Sequence, residues 1–133
     1  MTPPPASPPN DPMLGVQLDG RYELVEFLAQ GGMGRVYRAR QTALERDVVV
    51  KLLAPNCQTS DEFRKRFFLE ASLCARLGHP NVVRIFDYGC HKESTYYIVM
   101  EHLAGQTLKM MIRQFGWFPP HQAVAMVRQV CTG

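Results

Sequence analysis

The pattern of apolar and polar positions changes period several times along the chain. Asp47-Val48-Val49-Val50-Lys51-Leu52-Leu53 holds five β-branched or leucine residues in seven, without alternation. Such a run reads as a strand covered on both faces. Before it, Tyr22, Leu24 and Phe27-Leu28 predict a first strand, and Arg35-Val36-Tyr37-Arg38-Ala39-Arg40 alternates with period two and predicts a second. Thr42 to Arg46 is the turn into the Lys51 strand, so the three form an antiparallel meander. Phe63, Phe67, Glu70, Cys74 and Leu77 are spaced by four, three, four and three, one stripe of an α-helix. Ser60 or Asp61 is its expected N-cap, and Gly78 and Pro80 its stop near Leu77. Val82 to Tyr88 and Thr95 to Met100 predict two more strands around a turn at Gly89 to Ser94. Leu108 to Ile112 predicts a short helix. Pro119-Pro120 opens another, with Ala123, Val124, Val127 and Val130 on its apolar face. The fold class is α+β, with a five-stranded antiparallel sheet and one long helix.

Two charges interrupt these apolar patterns. Lys51 is an ammonium inside the greasy strand, and Glu70 is the only charge on the helical stripe. A buried lone charge is costly. A lysine that snorkels to water from a strand end is the plainer reading of Lys51. The arrangement that satisfies both places the two side chains facing each other in one core. Such a pair is weak evidence for stability, because desolvation offsets most of the attraction, and better evidence for a site.

Ala29-Gln30-Gly31-Gly32-Met33-Gly34 joins the first two strands. Glycine-rich turns cradle phosphates because their backbone N–H groups can approach an anion with no Cβ in the way. A P-loop requires Gly-Lys-Ser/Thr, but Gly34 is followed by Arg35-Val36. A dinucleotide fingerprint requires a helix after the last glycine, but a strand follows. What remains is an ordinary glycine hairpin or a strand-turn-strand flap over a nucleotide with a lysine on the next strand. Lys51 and Glu70 favour the flap.

Composition narrows the rest. The 133 residues are enough for one small domain with a core, and a net charge of +3 is too small to imply nucleic-acid binding. Arg64-Lys65-Arg66 reads as a solvated helix face. Cys57, Cys74, Cys90 and Cys131 include no Cys-x-x-Cys pair, so free thiols in a reducing cytosol are expected, and Cys90-His91 reads as a turn rather than a metal site. No apolar run approaches the length of a membrane helix, which leaves open a tether outside this chain. Six prolines in the first twelve residues predict a flexible or polyproline leader.

Gly31-Gly32-Met33-Gly34-Arg35-Val36-Tyr37, Val48 to Lys51, Arg66 to Ala71, His79-Pro80-Asn81-Val82-Val83 and Tyr97 to Glu101 follow in an order that resembles the amino-terminal lobe of eukaryotic-like serine/threonine protein kinases, most closely the bacterial members. The resemblance spans about Arg21 to Gly133. It implies a leader over 1–19, a kinase N-lobe and hinge over 20–103, and the first helices of an incomplete C-lobe over 104–133. It implies an enzyme that moves the γ-phosphate of ATP, with Mg2+, to serine or threonine hydroxyls of a protein substrate, in the cytoplasm. The flap over the phosphates would be Ala29, Gln30, Gly31, Gly32, Met33 and Gly34. Lys51 would hold the α- and β-phosphates and Glu70 would hold Lys51. Leu28, Val36 and Val49 would roof the adenine, Met100 would be the gatekeeper, and Glu101 and Leu103 the hinge. His79-Pro80-Asn81 would be a structural turn. Two positions depart from the family pattern. Ala29 stands where glycine is usual, and Val49 where alanine is usual. The family's catalytic loop and its metal-binding Asp-Phe-Gly are expected downstream of Gly133, so no residue here is assigned to Mg2+ and this chain alone is expected to be inactive. A pseudokinase or interaction module using the same lobe is the alternative reading.

Overall fold

The structure is a computed structural model that describes residues 10–32, 34–55 and 60–133. Met33 and residues 1–9 and 56–59 lie outside the described residues, and with them the first nine residues of the expected leader. The elements are β1 (Gln17–Leu18), β2 (Tyr22–Gly31), β3 (Gly34–Gln41), β4 (Arg46–Leu53), α1 (Asp61–Ala75), β5 (Ile85–His91), β6 (Thr95–Glu101), α2 (Leu108–Phe115) and α3 (Pro120–Thr132). One antiparallel sheet has the order β1-β2-β3-β4-β6-β5. The five expected strands are present, and the two-residue β1 adds a sixth at the edge by pairing with Glu23 and Tyr22.

The sheet curls strongly. β2 and β5 are four strands apart, about 19 Å in a flat sheet, yet the Tyr22 hydroxyl donates to Asp87 Oδ2 at 2.6 Å. The rings of Tyr22 and Tyr97 also meet edge to face, 6.2 Å between centroids. Curling encloses one face: Leu24, Phe27, Tyr37, Ala39, Val48, Val50, Leu52, Tyr97 and Val99 form the core, closed off by Met13, Leu14, Val16 and Phe86. Two bulges help the sheet to bend. Register shifts fall between Leu24 and Glu26 and between Phe27 and Ala29, so Val25 and Leu28 are extra residues on β2.

Several boundaries differ from the sequence expectation. Packed structure is present ahead of Gly20, where it was expected to begin: Asp11 is buried and Leu18 fully so. A two-residue strand has no periodicity to reveal it. The β5–β6 turn is Lys92 to Ser94, with positive φ at Lys92 and Glu93, rather than Gly89 to Ser94. Gly89 is inside β5, opposite Tyr97, where a Cβ would lie 2.7 Å from the Tyr97 hydroxyl. The strand therefore needs glycine for close approach, not for turning. β4 is covered on one face and half-open on the other: Val48, Val50 and Leu52 are buried, while Val49, Lys51 and Leu53 are partly exposed. This corrects the expectation of two covered faces.

α1 packs on the half-open face at one end. Ser60 caps it by accepting the Phe63 amide at 3.1 Å, with Asp61 and Glu62 in the first turn complementing the helix dipole. Its anchor is aromatic: Tyr96 receives Phe63, Phe67 and Phe68 at centroid distances of 6.0, 5.2 and 5.9 Å. Beyond Ala71 the apolar positions are exposed, Leu73 within the helix and Leu77 just after it. Arg64, Lys65 and Arg66 are exposed, as expected of a solvated face. The turn at Asn81 is tied to α3, because Asn81 Nδ2 donates to the Gln129 carbonyl and to Thr132 Oγ1, both at 2.9 Å. Among the described residues, no helix is long and apolar enough to cross a membrane.

Candidate nucleotide-binding face

The half-open face of the sheet collects most of the residues singled out above. Ladder partners lie on the same face. Ala29 pairs with Val36, Val36 with Lys51, and Lys51 with Ile98, so these four form one row across β2, β3, β4 and β6. Val49 pairs with Met100, and Met100 with Ile85, in the next row. Val36, Val49, Lys51 and Met100 are all partly exposed. They form an apolar floor with one ammonium in it.

The glycine turn closes one end of this floor. Gly31 and Gly34 are the last ladder pair, and Ala29, Gln30, Gly31 and Gly32 are exposed. Gly34 is buried at φ +144°, and a Cβ there would lie 1.9 Å from the Leu52 carbonyl oxygen. Only glycine lets β3 approach β4 this closely while leaving the turn. At the other end, Glu101 has its amide taken by the Arg84 carbonyl at 3.0 Å, and its Oε1 accepts the Arg84 amide at 2.8 Å. Leu103 is exposed and lies between β6 and α2.

Lys51 and Glu70 line the same cavity, about 220 Å³, with Leu53, Phe67, Cys74 and Ile98. They are not the buried pair expected from the sequence. Glu70 is exposed, Lys51 is half-buried, and no ion pair within 4.0 Å joins them. The reason lies in α1. Its aromatic contacts with Tyr96 come from Phe63, Phe67 and Phe68, all before Glu70, and past Ala71 the helix exposes Leu73. The floor is not one closed pocket. The glycine turn also borders a separate cavity of about 470 Å³ behind the flap, and Glu101 and Leu103 border a third of about 340 Å³ with Asn81 and Val130.

Two polar clusters on other surfaces escape a reading by motif. Asp11, with Tyr37 and Arg35, lies behind the glycine turn. Burial, and then the hydrogen bond to Asp11, push the Tyr37 hydroxyl above the usual tyrosine range, and the hydrogen bond with Tyr37 raises Arg35. At the far end, the Tyr97 hydroxyl donates to Asp19, Arg21 reaches Tyr97 and Asp87, and His91 Nδ1 lies 3.1 Å from Asp19 Oδ1. The Tyr97 bond holds Asp19 below the usual carboxylate range. Burial, with the bond to Asp87, raises Tyr22 to about 12. The only sequence hint of either cluster was the tyrosines themselves, since buried tyrosine hydroxyls usually need a partner.

Comparison with known proteins settles the family. The protein kinase domain model matches residues 22–133. The chain belongs to the protein kinase family. It is 37% identical over 118 residues to the serine/threonine-protein kinase PrkC of Bacillus subtilis, covering 89% of this chain and 18% of PrkC. It is 38% identical over 119 residues to the serine/threonine-protein kinase PknD of Mycobacterium tuberculosis, covering 90% of this chain and 18% of PknD. Among solved structures, the Mycobacterium tuberculosis PknI kinase domain superposes with a TM-score of 0.77 at 30% identity, over 87% of this chain and 46% of that one. The kinase lobe seen here therefore spans about half of a solved kinase domain and under a fifth of these curated relatives.

Proposed function

We propose that this chain is the ATP-binding part of a protein kinase that transfers the γ-phosphate of ATP to serine or threonine hydroxyls of a protein substrate. The observation that carries the reading is the row Ala29–Val36–Lys51–Ile98, which puts an ammonium on an apolar floor beneath a glycine turn.

The residues fit ATP. Lys51 has no ion-pair partner among the described residues, so its charge is available to the α- and β-phosphates. The exposed backbone of Gln30 to Gly32 offers N–H groups to the phosphates. Leu28, Val36 and Val49 bound the adenine, Met100 limits the depth of its pocket, and Glu101 and Leu103 present backbone groups to its edge. Glu101 is suited to accept rather than donate, because its own amide is already bonded to Arg84. Bound ATP supplies the phosphoryl group. The chain's part is to position and neutralise it, which is most of what catalysis of this transfer requires. No residue of this chain is assigned to Mg2+.

The separation of Glu70 from Lys51 gives the lobe a switch. With the helix as seen, Lys51 is not steered by Glu70. A shift of α1 toward the sheet would close the pair across the cavity they share. Ala29 and Val49, with this open pair, are what favour the alternative reading, a pseudokinase that uses the lobe to bind partners.

Lys51→Met in the full-length protein tests the two. The kinase reading expects phosphotransfer to a generic serine/threonine substrate to fall at least about a hundredfold, the usual effect of removing a group that stabilises transition-state charge. Full activity in that variant would reject it. Absence of phosphotransfer from the wild type, together with ATP-independent partner binding, would favour the pseudokinase.

A further inference from the structure

The segment ahead of β1 grips the glycine turn from behind. Asp11 is its anchor, with no side-chain surface exposed. Asp11 Oδ2 accepts the Tyr37 hydroxyl at 2.8 Å, and Oδ1 accepts the Met13 amide at 3.0 Å and lies 3.5 Å from Arg35 Nη1. A carboxylate so deeply placed needs such partners, because burying it alone would be costly. The partners are specific in position. Arg35 and Tyr37 flank Val36 on β3, so their side chains leave the face opposite Val36. Tyr37 is fully buried and its ring meets Phe27 edge to face at 5.7 Å, directly across the β2–β3 ladder. Met13 lines the 470 Å³ cavity together with Gln30, Gly31, Gly34 and Arg35. The segment thus touches both strands of the hairpin, β2 through Leu24 and β3 through Arg35 and Tyr37, and shares a cavity with the glycines between them.

We propose that Asp11 is a positioning residue for this flap: through Tyr37 and Arg35 it fixes the height of the glycine turn over the Lys51 floor, so that the N-terminal segment sets nucleotide affinity. This rests on the reading of Ala29 to Gly34 as the ATP flap. The physical logic is one of entropy. A two-stranded turn with exposed glycines is mobile unless held, and ordering it on ligand binding costs affinity. A clasp already made in the free protein removes part of that cost. The clasp acts on the rear face, where no ligand atom reaches it.

The test uses Asp11→Asn and Tyr37→Phe, singly and together, in the full-length protein, with hydrogen exchange over residues 29–36 and ATP affinity by calorimetry. Tyr37→Phe keeps the ring and leaves Asp11 with Arg35 and the Met13 amide, so it folds even if the Asp11 variant does not. Each variant is expected to raise flap exchange and weaken ATP binding, by about fivefold to tenfold for loss of a buried hydrogen bond to a charge. The double variant is expected to lose less than the sum of the two singles, since both act on the Tyr37–Asp11 contact. Unchanged exchange and affinity in both single variants would overturn the inference and leave the flap reading intact. Faster exchange with unchanged ATP affinity would also overturn it, by showing a clasp that matters only to folding. A wild-type protein that binds no ATP would remove the flap reading itself, and this inference with it.

Discussion

The two faces of the sheet differ although the same strands build them. On β4, Val48, Val50 and Leu52 enter the closed face and are buried, while Val49, Lys51 and Leu53 enter the open one and keep part of their surface. The closed face is lined by tyrosine, leucine and valine, and its tyrosine hydroxyls are satisfied by Asp11, Asp19 and Asp87. The open face carries Lys51 among Val36, Ile98, Val49 and Met100, and its second row ends in the ion-paired Arg38 and Glu26. The contrast separates what holds this lobe together from what it presents. A single-residue step along a strand moves a side chain from one task to the other.

The sharpest way to break the contrast is at Gly34, where the glycine turn meets β4. Its positive φ and a Cβ 1.9 Å from a backbone oxygen that cannot move aside make Gly34→Ala cost about 3 kcal/mol or more. Urea denaturation would measure it. A loss below about 1 kcal/mol would mean that β3 and β4 can separate freely at the turn.

Neighbouring leucines give the next test. Leu52→Ala empties the closed face and is expected to lower stability by about 2–4 kcal/mol, whereas Leu53→Ala on the open face costs less than half of that. Thermal melts of the two variants side by side read the difference. Equal losses would show that the open face is as well packed as the core.

Tyr22 sharpens the account of the closed face through pH. Its folded value, about 12, is above the ordinary 10.0, so the neutral phenol is favoured by folding. The stability it contributes is present below pH 10 and is lost as pH rises toward 12. Asp19 works in the other direction. Its folded value is depressed, so its contribution is present above the ordinary 3.8 and fades as pH falls further. A stability profile should therefore be flat near neutrality and fall at both ends, and Tyr22→Phe should flatten the alkaline limb by about 1 kcal/mol. Tyrosinate absorbance during an alkaline titration checks the assignment.

The smallest expected effect concerns Val49. Alanine is usual at this position in kinases, and the valine methyls narrow the adenine roof. Val49→Ala is expected to tighten ATP binding by about fivefold, or 1 kcal/mol, with little change in melting temperature. Weaker binding would mean that the valine contributes contact rather than crowding.

How much of this was legible in the sequence follows from the range of each signal. The Lys51 strand, the glycine hairpin and the Ser60-capped helix are set by local pattern, and they are where expected. The row that joins Val36 to Lys51 follows from a short hairpin with a fixed register. Burial of Glu70 did not follow. A helical stripe states which residues share a side, but not how closely that side approaches its neighbour, and here the aromatic pinning at Tyr96 ends before Glu70. The segment from Asn10 to Asp19 was read as leader because its strand has two residues and its anchor, Asp11, finds Tyr37 26 positions away. Gly89 was read as turning the chain because glycine serves tight turns and close approaches alike. Each miss concerns a contact made in space between segments that are silent in sequence.

The central claim is that the open, Lys51-bearing face receives ATP. Amide chemical-shift mapping of the isotope-labelled protein during an ATP titration tests it most directly. The account predicts saturable shifts at Gly31, Gly34, Val36, Lys51 and Leu103, with Val50, Leu18 and the Asp19–His91 corner unmoved. Shifts confined to the closed face or to the Asp19–His91 corner, or none at millimolar ATP, would contradict it.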